Sequence, residues 1–252
     1  MEQNLLFNIL DQVDSTNNYA MAMIHEELAL HGMAWFSTNQ TAGKGQRGKI
    51  WETNPGDNIA LSIAIKPNRL FWESSFPFNA FIALICREFI ENTIGQNVSI
   101  KWPNDLWIGD RKAVGLLIEN KYRGNSWNWS VVGIGINVNQ LVFSAQAKQA
   151  TSLRQITGKL FDPEILAKQL HQKILSALEN VNSTQLNDII VEYNRFLYKK
   201  GKQALLIVDN NVQIETTIVA VNELGQLVTK DAVERSFTFG EVSWITDAVR
   251  NE

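Results

Sequence analysis

The sequence predicts an α+β fold in which a large mixed domain is followed by a small β-domain. Short runs rich in β-branched and aromatic residues alternate with helical stretches over the first 199 residues. From Gly201 onward only short strands and turn signals follow. A chain of 252 residues that is 45% hydrophobic and 19% charged can bury one sizeable core plus a small appended domain. The expected domains are therefore 1–199 and 200–252.

The first elements of the chain alternate strand and helix. Apolar and polar residues alternate over 5–10, which predicts a strand, and Asp14-Ser15-Thr16-Asn17 then offers caps for a helix that runs to about Leu30. The start of this helix could present N–H groups and hydroxyls to a ligand, or those side chains could simply cap it. The next predicted elements are strands over 34–37 and 58–65 and a buried helix over 78–94.

A glycine-rich basic loop separates the strands at 34–37 and 58–65. Residues 43–51 read Gly-Lys-Gly-Gln-Arg-Gly-Lys-Ile-Trp. Glycines let the backbone approach a charged ligand, the cations can pair with phosphate or carboxylate, and Trp51 offers a ring on which a nucleobase could stack. The loop matches neither standard phosphate-binding pattern, so a solvated flexible loop is the alternative interpretation.

The segment Lys-Trp-Pro-Asn-Asp-Leu at 101–106 follows a predicted strand over 98–100. Pro103 ends regular pairing, so we expect Asn104 and Asp105 on a turn at the end of that strand, where side chains can face a cleft. An ordinary Pro-Asn-Asp turn without function is the alternative.

Lys112 opens a predicted strand over 112–119, after a turn at 109–110. Gly115 leaves room above the backbone, so the ammonium of Lys112 could enter a semi-buried pocket and hold a carboxylate or phosphate. A surface lysine at a hairpin end is the alternative. The glycines of the next strand, at 131–139, allow close approach of a ligand, or mark a bulge or tight packing.

The C-terminal third begins with scaffold helices and ends in a β-domain. Apolar residues recur at helical spacing over Pro163–Leu178, and a second helix is expected over 185–197. Turn signals at 209–211 and 222–225 then separate short strands, which suggests a compact five-stranded barrel of about 45 residues.

Composition limits the classes of function. A net charge of −3 argues against a broad nucleic-acid surface. No apolar run approaches the roughly 20 residues that span a bilayer, and the first four residues lack a basic leader, so neither anchoring nor secretion is expected. Cys86, the single cysteine, lies in an apolar stretch and is expected to be a buried small hydrophobe, which fits a reducing cytoplasm.

Taken in order, these segments resemble the signature blocks of biotin protein ligases. The resemblance implies a class II synthetase-like catalytic domain, with a mixed sheet and flanking helices, and an SH3-like barrel ending in Gly-Glu-Val-Ser at 240–243. It also predicts a monofunctional form without an N-terminal DNA-binding domain, because the resemblance begins within the first fifteen residues. The matching segments are 14–17, 40–51, 101–105, 111–112 with Gly115, and 133–137.

The resemblance implies a two-step reaction. ATP, with Mg²⁺ as its counter-ion, would activate biotin as biotinyl-5′-AMP, and a lysine of a biotin carboxyl carrier protein of acetyl-CoA carboxylase or a related carboxylase would then accept the biotin. No metal site is expected in the protein, nor any nucleic-acid or membrane partner, and a homodimer is left open. A lipoate or octanoate transferase and a non-catalytic small-molecule sensor are the alternatives.

By motif match, the resemblance also assigns roles to individual residues. Lys112, Lys44, Arg47 and Asp105 are the expected catalytic residues, with Asp105 orienting Lys112 or assisting deprotonation of the acceptor lysine. The expected biotin-binding residues are Ser15, Thr16, Asn17, Gln40, Gly43, Lys112 and Gly115. The expected nucleotide-binding residues are Lys44, Gly45, Arg47, Trp51, Asn104 and Asn137.

One departure from the family pattern lies in the glycine-rich loop. The family commonly has Gly-Arg-Gly-Arg where this chain has Gly-Lys-Gly-Gln at 43–46. A lysine supplies a point charge without bidentate geometry, and Gln46 supplies no charge. Retention of a reactive adenylate is therefore expected to depend on Lys44, Arg47 and Lys49, and ligand binding is expected to order residues 41–51.

Overall fold

A seven-stranded mixed sheet organises most of the chain. The computed structural model describes residues 6–208 and 212–245. The strands of this sheet are β1 Phe7–Ile9, β2 Ala34–Ser37, β3 Ile59–Ile65, β4 Ser99–Lys101, β5 Asp105–Ile108, β6 Arg111–Arg123 and β7 Ser126–Ile136. Their order is β1-β2-β3-β7-β6-β5-β4. β1 and β2 are parallel and every other neighbouring pair is antiparallel.

Helices cover both faces of this sheet. They are α1 Thr16–His25, α2 Ser75–Ile94, α3 Leu153–Thr157, α4 Pro163–Asn180 and α5 Ser183–Arg195. α2 and α4 join the main core, which contains Leu61, Ile63 and Ile134. α1 packs on the opposite face, where Ala20 and Ile24 meet Trp35, Ala64 and Val131. All seven residues of β3 are buried, as expected for a strand covered on both faces.

A five-stranded antiparallel sheet forms the C-terminal part of the described chain. Its strands are β8 Gln203–Val208, β9 Val212–Val221, β10 Leu227–Lys230, β11 Glu234–Phe237 and β12 Ser243–Ile245, in the order β11-β10-β9-β8-β12. The turn predicted at 222–225 joins β9 to β10, with Gly225 at φ 79°. The turn predicted at 209–211 lies outside the described residues. Closure of this sheet into a barrel, and the boundary between residues 199 and 200, stay predictions.

Most predicted elements are confirmed, with shifted ends. The α+β class, the two-residue turn at 109–110 and the buried position of Cys86 are all as expected. Burial raises the pKa of the Cys86 thiol to about 12, which makes it unreactive. α1 ends at His25 instead of Leu30, because Glu27 adopts a positive φ of 59° that a helix cannot continue through.

The expected turn position of Asp105 is wrong. The turn occupies 102–104, and Asp105 opens β5 because it pairs with Lys101 on one side and Gly115 on the other. The strand β5 itself and the short helix α3 have no counterpart among the predicted elements. Within the described residues, no helix has the length and apolar character needed to cross a membrane.

Candidate functional site

A cavity of about 930 Å³ lies on the face of the seven-stranded sheet that carries α1. Its walls come from segments far apart in the sequence: the start of α1, the glycine-rich loop, the hairpin between β4 and β5, and residues 239–244 near the end of the described chain. Gly43 is buried and does not line the cavity. The other predicted site residues all line it: Ser15, Thr16, Asn17, Gln40, Lys44, Gly45, Arg47, Trp51, Asn104, Asp105, Lys112, Gly115 and Asn137.

The floor of the cavity is a row of residues that pair directly across the sheet. Lys101 pairs with Asp105, Asp105 with Gly115, Gly115 with Gly135, and Gly135 with Ala60. Directly paired residues point to the same face, and neighbouring strands lie about 4.8 Å apart. Glycine and alanine leave the middle of the row without bulk. The sheet therefore has a depression, with Asp105 and Lys101 at one end of it.

A second row, with small residues at two of its three positions, lies beside the first. Leu117 pairs with Gly133, and Gly133 pairs with Ser62. A Cβ at Gly133 would lie 2.2 Å from Oδ1 of Asn17, so only glycine lets the start of α1 approach the sheet this closely.

Buried hydrogen bonds hold the start of α1 on the sheet. Asn17 donates through Nδ2 to a carboxylate oxygen of Glu119 at 2.7 Å, and its Oδ1 accepts from the hydroxyl of Ser62 at 2.6 Å. The backbone N–H of Thr16 donates to Oε1 of Gln40 at 2.8 Å. Because the carboxylate can only accept, it fixes which end of the Asn17 amide faces Ser62. Gln40 likewise keeps its Nε2 as a donor.

Sequence reasoning missed Ser62 and Glu119 as part of this network. Ser62 is fully buried in the middle of the apolar strand β3, and that contrast was the available signal. Glu119 follows a run of apolar residues in β6, and a charged residue at such a position is expected to be exposed to solvent.

Lys112 and Asp105 form an ion pair at the end of the glycine floor. Nζ of Lys112 lies 2.7 Å from Oδ1 of Asp105, and both side chains are about a quarter to a third exposed. The backbone of Lys112 is held from the other side, since its N–H donates to the carbonyl of Gln149 and its carbonyl accepts from the N–H of Thr151. The lysine is therefore fixed at both its backbone and its ammonium.

A bulge in β6 directs Lys112 toward the cavity. Leu106 pairs with Val114, but Trp107 pairs with Lys112, so the pairing skips Ala113. Lys112 and Gly115 consequently both line the cavity although they are three residues apart. In a regular strand they would point to opposite faces.

The indole of Trp51 lies over the glycine floor. A Cβ at Gly135 would come within 2.5 Å of this ring, and a Cβ at Gly115 within 2.8 Å. The ammonium of Lys112 is 5.3 Å from the ring centroid. Nε1 of Trp51 is buried and has no hydrogen-bond partner within the described residues. The glycines expected to admit a ligand therefore also admit this tryptophan.

The glycine-rich loop folds as a small hairpin. The N–H of Gly45 donates to the carbonyl of Lys49 at 2.7 Å, and the N–H of Trp51 donates to the carbonyl of Gly43 at 2.9 Å. Arg47, at φ 55°, extends its guanidinium to the carbonyl of Gly240 at 3.0 Å. The arginine that was expected to contact phosphate therefore links the loop to the segment between β11 and β12.

Two asparagines line the cavity with their amide nitrogens engaged by the backbone. Nδ2 of Asn104 donates to the carbonyl of Leu116, and Nδ2 of Asn137 donates to the carbonyl of Thr151 at 3.1 Å. Each asparagine is thus oriented by the protein. The amide oxygen is the atom with which it could accept a hydrogen bond from a ligand.

Lys101 is a further cavity residue that sequence reasoning left out of the site. The residue is only 8% exposed, and its Nζ lies 3.7 Å from the ring centroid of Trp107 and 5.3 Å from that of Trp244. Burial lowers the pKa of Lys101 to about 7, and the neighbouring Asp105 opposes this shift. In the sequence the tryptophan next to Lys101 is Trp102, but its ring is not one of the two that lie beside the ammonium. The sequence therefore did not indicate this environment.

Comparison with known proteins shows the family to which this sequence belongs. The sequence matches the model of the Biotin/lipoate A/B protein ligase family over residues 9–137. It is 32% identical to the bifunctional ligase/repressor BirA of Bacillus spizizenii over 165 residues, which are 64% of this chain and 50% of the relative. It is 30% identical to the biotin–[acetyl-CoA-carboxylase] ligase of Paracoccus denitrificans over 162 residues, which are 62% of this chain and 66% of the relative.

A solved structure extends the likeness to nearly the whole fold. The biotin protein ligase from Aquifex aeolicus in complex with biotin and ATP superposes with a TM-score of 0.79 at 25% identity, over 95% of this chain and 98% of the other. The chain spans about half the length of the Bacillus relative. The family match runs from the last residue of β1 to the end of β7 and includes α1, the glycine-rich loop and Lys112, so the chain belongs to the Biotin/lipoate A/B protein ligase family.

Proposed function

We propose that this protein is an ATP-dependent ligase that activates biotin as biotinyl-5′-AMP and transfers it to a lysine of a carrier protein. The carrier would be the biotin carboxyl carrier protein of acetyl-CoA carboxylase or a related carboxylase. The observation that carries the proposal is the Lys112–Asp105 ion pair, 2.7 Å long, at the end of a floor of glycines. The pair lies in a cavity with a hydrogen-bonding end at α1 and a basic loop above it.

The end of the cavity at α1 suits the ureido ring of biotin. A cyclic urea has one carbonyl acceptor and two N–H donors, so it needs donors and acceptors at fixed places. Gln40 offers its Nε2 as a donor, and the hydroxyl of Ser15 can donate or accept. The hydroxyl of Thr16 lies 3.2 Å from Oε1 of Gln40 and 2.8 Å from the hydroxyl of Ser62, so it would serve the ligand as an acceptor. Asn17 would orient these groups more than bind the ligand, because its amide is occupied by Glu119 and Ser62. Gly43 would act by supporting the loop and Gly115 by leaving space.

In the first step, a carboxylate oxygen of biotin attacks the α-phosphorus of ATP. A bond forms between these atoms, the bond from the α-phosphorus to the bridging oxygen breaks, and pyrophosphate leaves with the electron pair. This transfer needs positioning and stabilisation of crowded negative charge, without a covalent enzyme intermediate. Lys112 would supply a cation between the two anionic reactants. Asp105 would hold that ammonium in place.

In the second step, the amine of the acceptor lysine attacks the acyl carbon of the mixed anhydride, and AMP leaves. The amine must be neutral to attack, so a proton has to be lost before or during the step. Asp105 is the carboxylate in the row of paired residues that forms the cavity floor. Its ion pair with Lys112 favours the orienting role over that of a free base.

The nucleotide would lie toward the loop and the two asparagines. We propose that Lys44 and Arg47 contact phosphate oxygens, with Arg47 exchanging its bond to Gly240 for one to the ligand. Trp51 would pack beside the adenine or brace the closed loop. Gly45 would let the loop backbone approach, and Asn104 and Asn137 would accept hydrogen bonds.

Mg²⁺ would enter with ATP and not with the protein. Within the described residues, no group of three or more His, Cys, Asp or Glu side chains could hold a metal ion. Asp105 is engaged by Lys112. We propose that the ion acts as the counter-ion of the substrate's phosphates, as the family resemblance implies.

We further propose a cytoplasmic location and no nucleic-acid partner, on the grounds of a single buried cysteine and a net charge of −3. A homodimer stays open. The catalytic domain would span residues 1–199 and an SH3-like barrel would span 200–252.

A biotin-dependent pyrophosphate exchange assay tests the proposal. Wild type should incorporate labelled pyrophosphate into ATP when biotin is present. Lys112→Met should lower the rate on the order of 10²- to 10³-fold, the usual effect of removing one donor to developing charge. Lys121→Met is the matched control, since Lys121 lies on the same strand beside His25 and outside the cavity.

The same assay separates the alternatives. Exchange that depends on lipoate or octanoate instead of biotin would assign a lipoate-type transferase, which the family also includes. Binding of biotin without exchange would indicate a sensor. A wild-type rate in Lys112→Met would remove the lysine from the mechanism.

A further inference from the structure

Lys101 occupies an unusual environment for a cation. It is 8% exposed, lines the cavity, and within the described residues its ammonium makes no hydrogen bond or ion pair. The rings of Trp107, Trp244 and Tyr198 surround it, with centroids 3.7, 5.3 and 6.0 Å from Nζ. Such rings stabilise a cation only in part, and a buried charge without a hydrogen-bonding partner is costly. An anionic ligand would offset that cost.

Two hydrogen-bond donors beside Lys101 also lack partners. The Nε1 atoms of Trp107 and Trp244 are buried without a hydrogen bond among the described residues, and both side chains line the same cavity. Trp107 is 2% exposed. Burying a donor without an acceptor costs about 1–3 kcal/mol. A cation and the N–H groups of two rings that pack around it are suited to the oxygens of an anion.

The position of Lys101 on the sheet indicates which anion would bind beside it. Lys101 pairs with Asp105, and Asp105 pairs with Gly115 on the glycine floor. The backbone of Lys101 is therefore about 4.8 Å, one strand spacing, further along the row than the backbone of Asp105, the residue that holds Lys112. If Lys112 lies beside the α-phosphate, Lys101 lies beyond it, on the side away from α1 and toward Trp244.

We propose that Lys101, with the indole N–H groups of Trp107 and Trp244, binds the two terminal phosphates of ATP, which leave together as pyrophosphate. This inference rests on the proposed function. When the bond from the α-phosphorus to the bridging oxygen breaks, its electron pair stays on that oxygen. The ammonium of Lys101 would stabilise the negative charge that develops there, while Lys112 serves the reacting carboxylate and α-phosphate.

The charge state of Lys101 gives this subsite a measurable signature. Burial lowers the pKa of Lys101 to about 7; Asp105 on β5 opposes the shift, and Lys112, Lys199 and Lys49 add to it. The amine is thus partly neutral near pH 7 in the free protein. A bound polyanion favours the protonated form, so pyrophosphate binding should take up protons from the buffer.

Binding of inorganic pyrophosphate, ATP and a non-hydrolysable biotinyl-5′-AMP analogue tests the proposal, each measured by calorimetry. Lys101→Met should weaken pyrophosphate and ATP about 10- to 100-fold, the range for losing a hydrogen bond to a charged group. The analogue, which has only the α-phosphate, should bind within about twofold of wild type. Its binding also reports that the variant is folded.

Two further variants and a comparison of two buffers test whether the effect is specific to Lys101 and the indole N–H groups. Lys199→Met is the matched control, because Lys199 lies close enough to affect Lys101 electrostatically but does not line the cavity. It should leave pyrophosphate binding within about twofold. Trp244→Phe keeps a ring and removes one N–H, and should weaken pyrophosphate several-fold. Calorimetry near pH 7.5 in two buffers of different ionisation enthalpy should show proton uptake by wild type that Lys101→Met lacks.

Different results would contradict the pyrophosphate subsite and the proposed ligase function. Unchanged pyrophosphate affinity in Lys101→Met, equal weakening of pyrophosphate and the analogue, or wild type that binds no pyrophosphate would each overturn the subsite. If pyrophosphate binding depends on Lys101 but biotin drives no exchange, the subsite stands and the proposed ligase function falls.

Discussion

A methyl group added at Gly133 is expected to destabilise the fold and the end of the cavity at α1 together. The Cβ of Gly133→Ala would lie 2.2 Å from Oδ1 of Asn17 and 2.8 Å from its Cγ and Nδ2. Ordinary contacts begin near 3.4 Å, so either the strand or α1 must move. Asn17 is 4% exposed and cannot turn into solvent. The mutation should therefore break the hydrogen bonds of this side chain.

Those bonds give the magnitude. Asn17 donates to the carbonyl of Leu117 at 3.1 Å and to the carboxylate of Glu119 at 2.7 Å, and it accepts from Ser62 at 2.6 Å. A neutral bond is worth about 1 kcal/mol and one to a charged group about 1.5–3 kcal/mol. The free energy of unfolding should fall by on the order of 3–5 kcal/mol. For a chain of this size that lowers Tm by roughly 6–20 °C.

A double-mutant cycle measured by urea unfolding isolates the cause. Asn17→Ala removes the same bonds and the colliding atoms, so adding Gly133→Ala to it should cost less than about 1 kcal/mol. The reasoning is refuted if Gly133→Ala alone unfolds within about 0.5 kcal/mol of wild type. Full additivity of the two losses would also refute it, because the damage would then not pass through Asn17.

Two other predictions concern the loop and the response to acid. In Gly135→Ala the new Cβ would lie 2.5 Å from the indole of Trp51, so residues 43–51 should exchange amide hydrogens faster while the core keeps its protection; unchanged exchange in the loop would mean that Trp51 is not held by this contact. His171 is buried with Nε2 2.7 Å from a backbone carbonyl, and burial lowers its pKa below the ordinary value of 6.5. The unfolded chain then binds more protons, so the stability linked to His171 is present above pH 6.5 and lost as pH falls through the folded pKa. His171→Gln should show a smaller loss of unfolding free energy between pH 7.5 and 5.5 than wild type, and equal losses would contradict this assignment.

Local patterns in the sequence were enough to indicate many of the residues that line the cavity. The glycines at 115, 133 and 135 suggest close approach wherever they lie, and a lysine next to such a strand suggests an anion pocket. The assembly of these parts depends on strand pairing, which no local pattern carries. Ser62 becomes part of the site because β3 pairs with β7 and brings it opposite Gly133.

The environment of Lys101 could not be predicted from local sequence patterns. Trp107 lies on the next strand, but Trp244 comes from β12 of the C-terminal sheet, so the rings meet only after the two sheets pack together. Asp105 was expected in a turn because Pro103 precedes it, yet partners on both sides place it in a strand. α3 spans five residues, which is too short for a helical period to be recognised.

The bulge at Ala113 makes the backbone geometry of β6 a constraint in its own right. Lys112 and Gly115 share the cavity face only because one residue between them is left out of the pairing with β5. If that residue were paired with β5 instead, strict alternation would return and the ammonium of Lys112 would point toward the apolar core, although every functional side chain would still be encoded. The adjoining turn at Gly109 and Asp110 could not correct this, because it lies before Lys112. Replacement of side chains with alanine would never reveal the constraint, since the residue that enforces it is already an alanine.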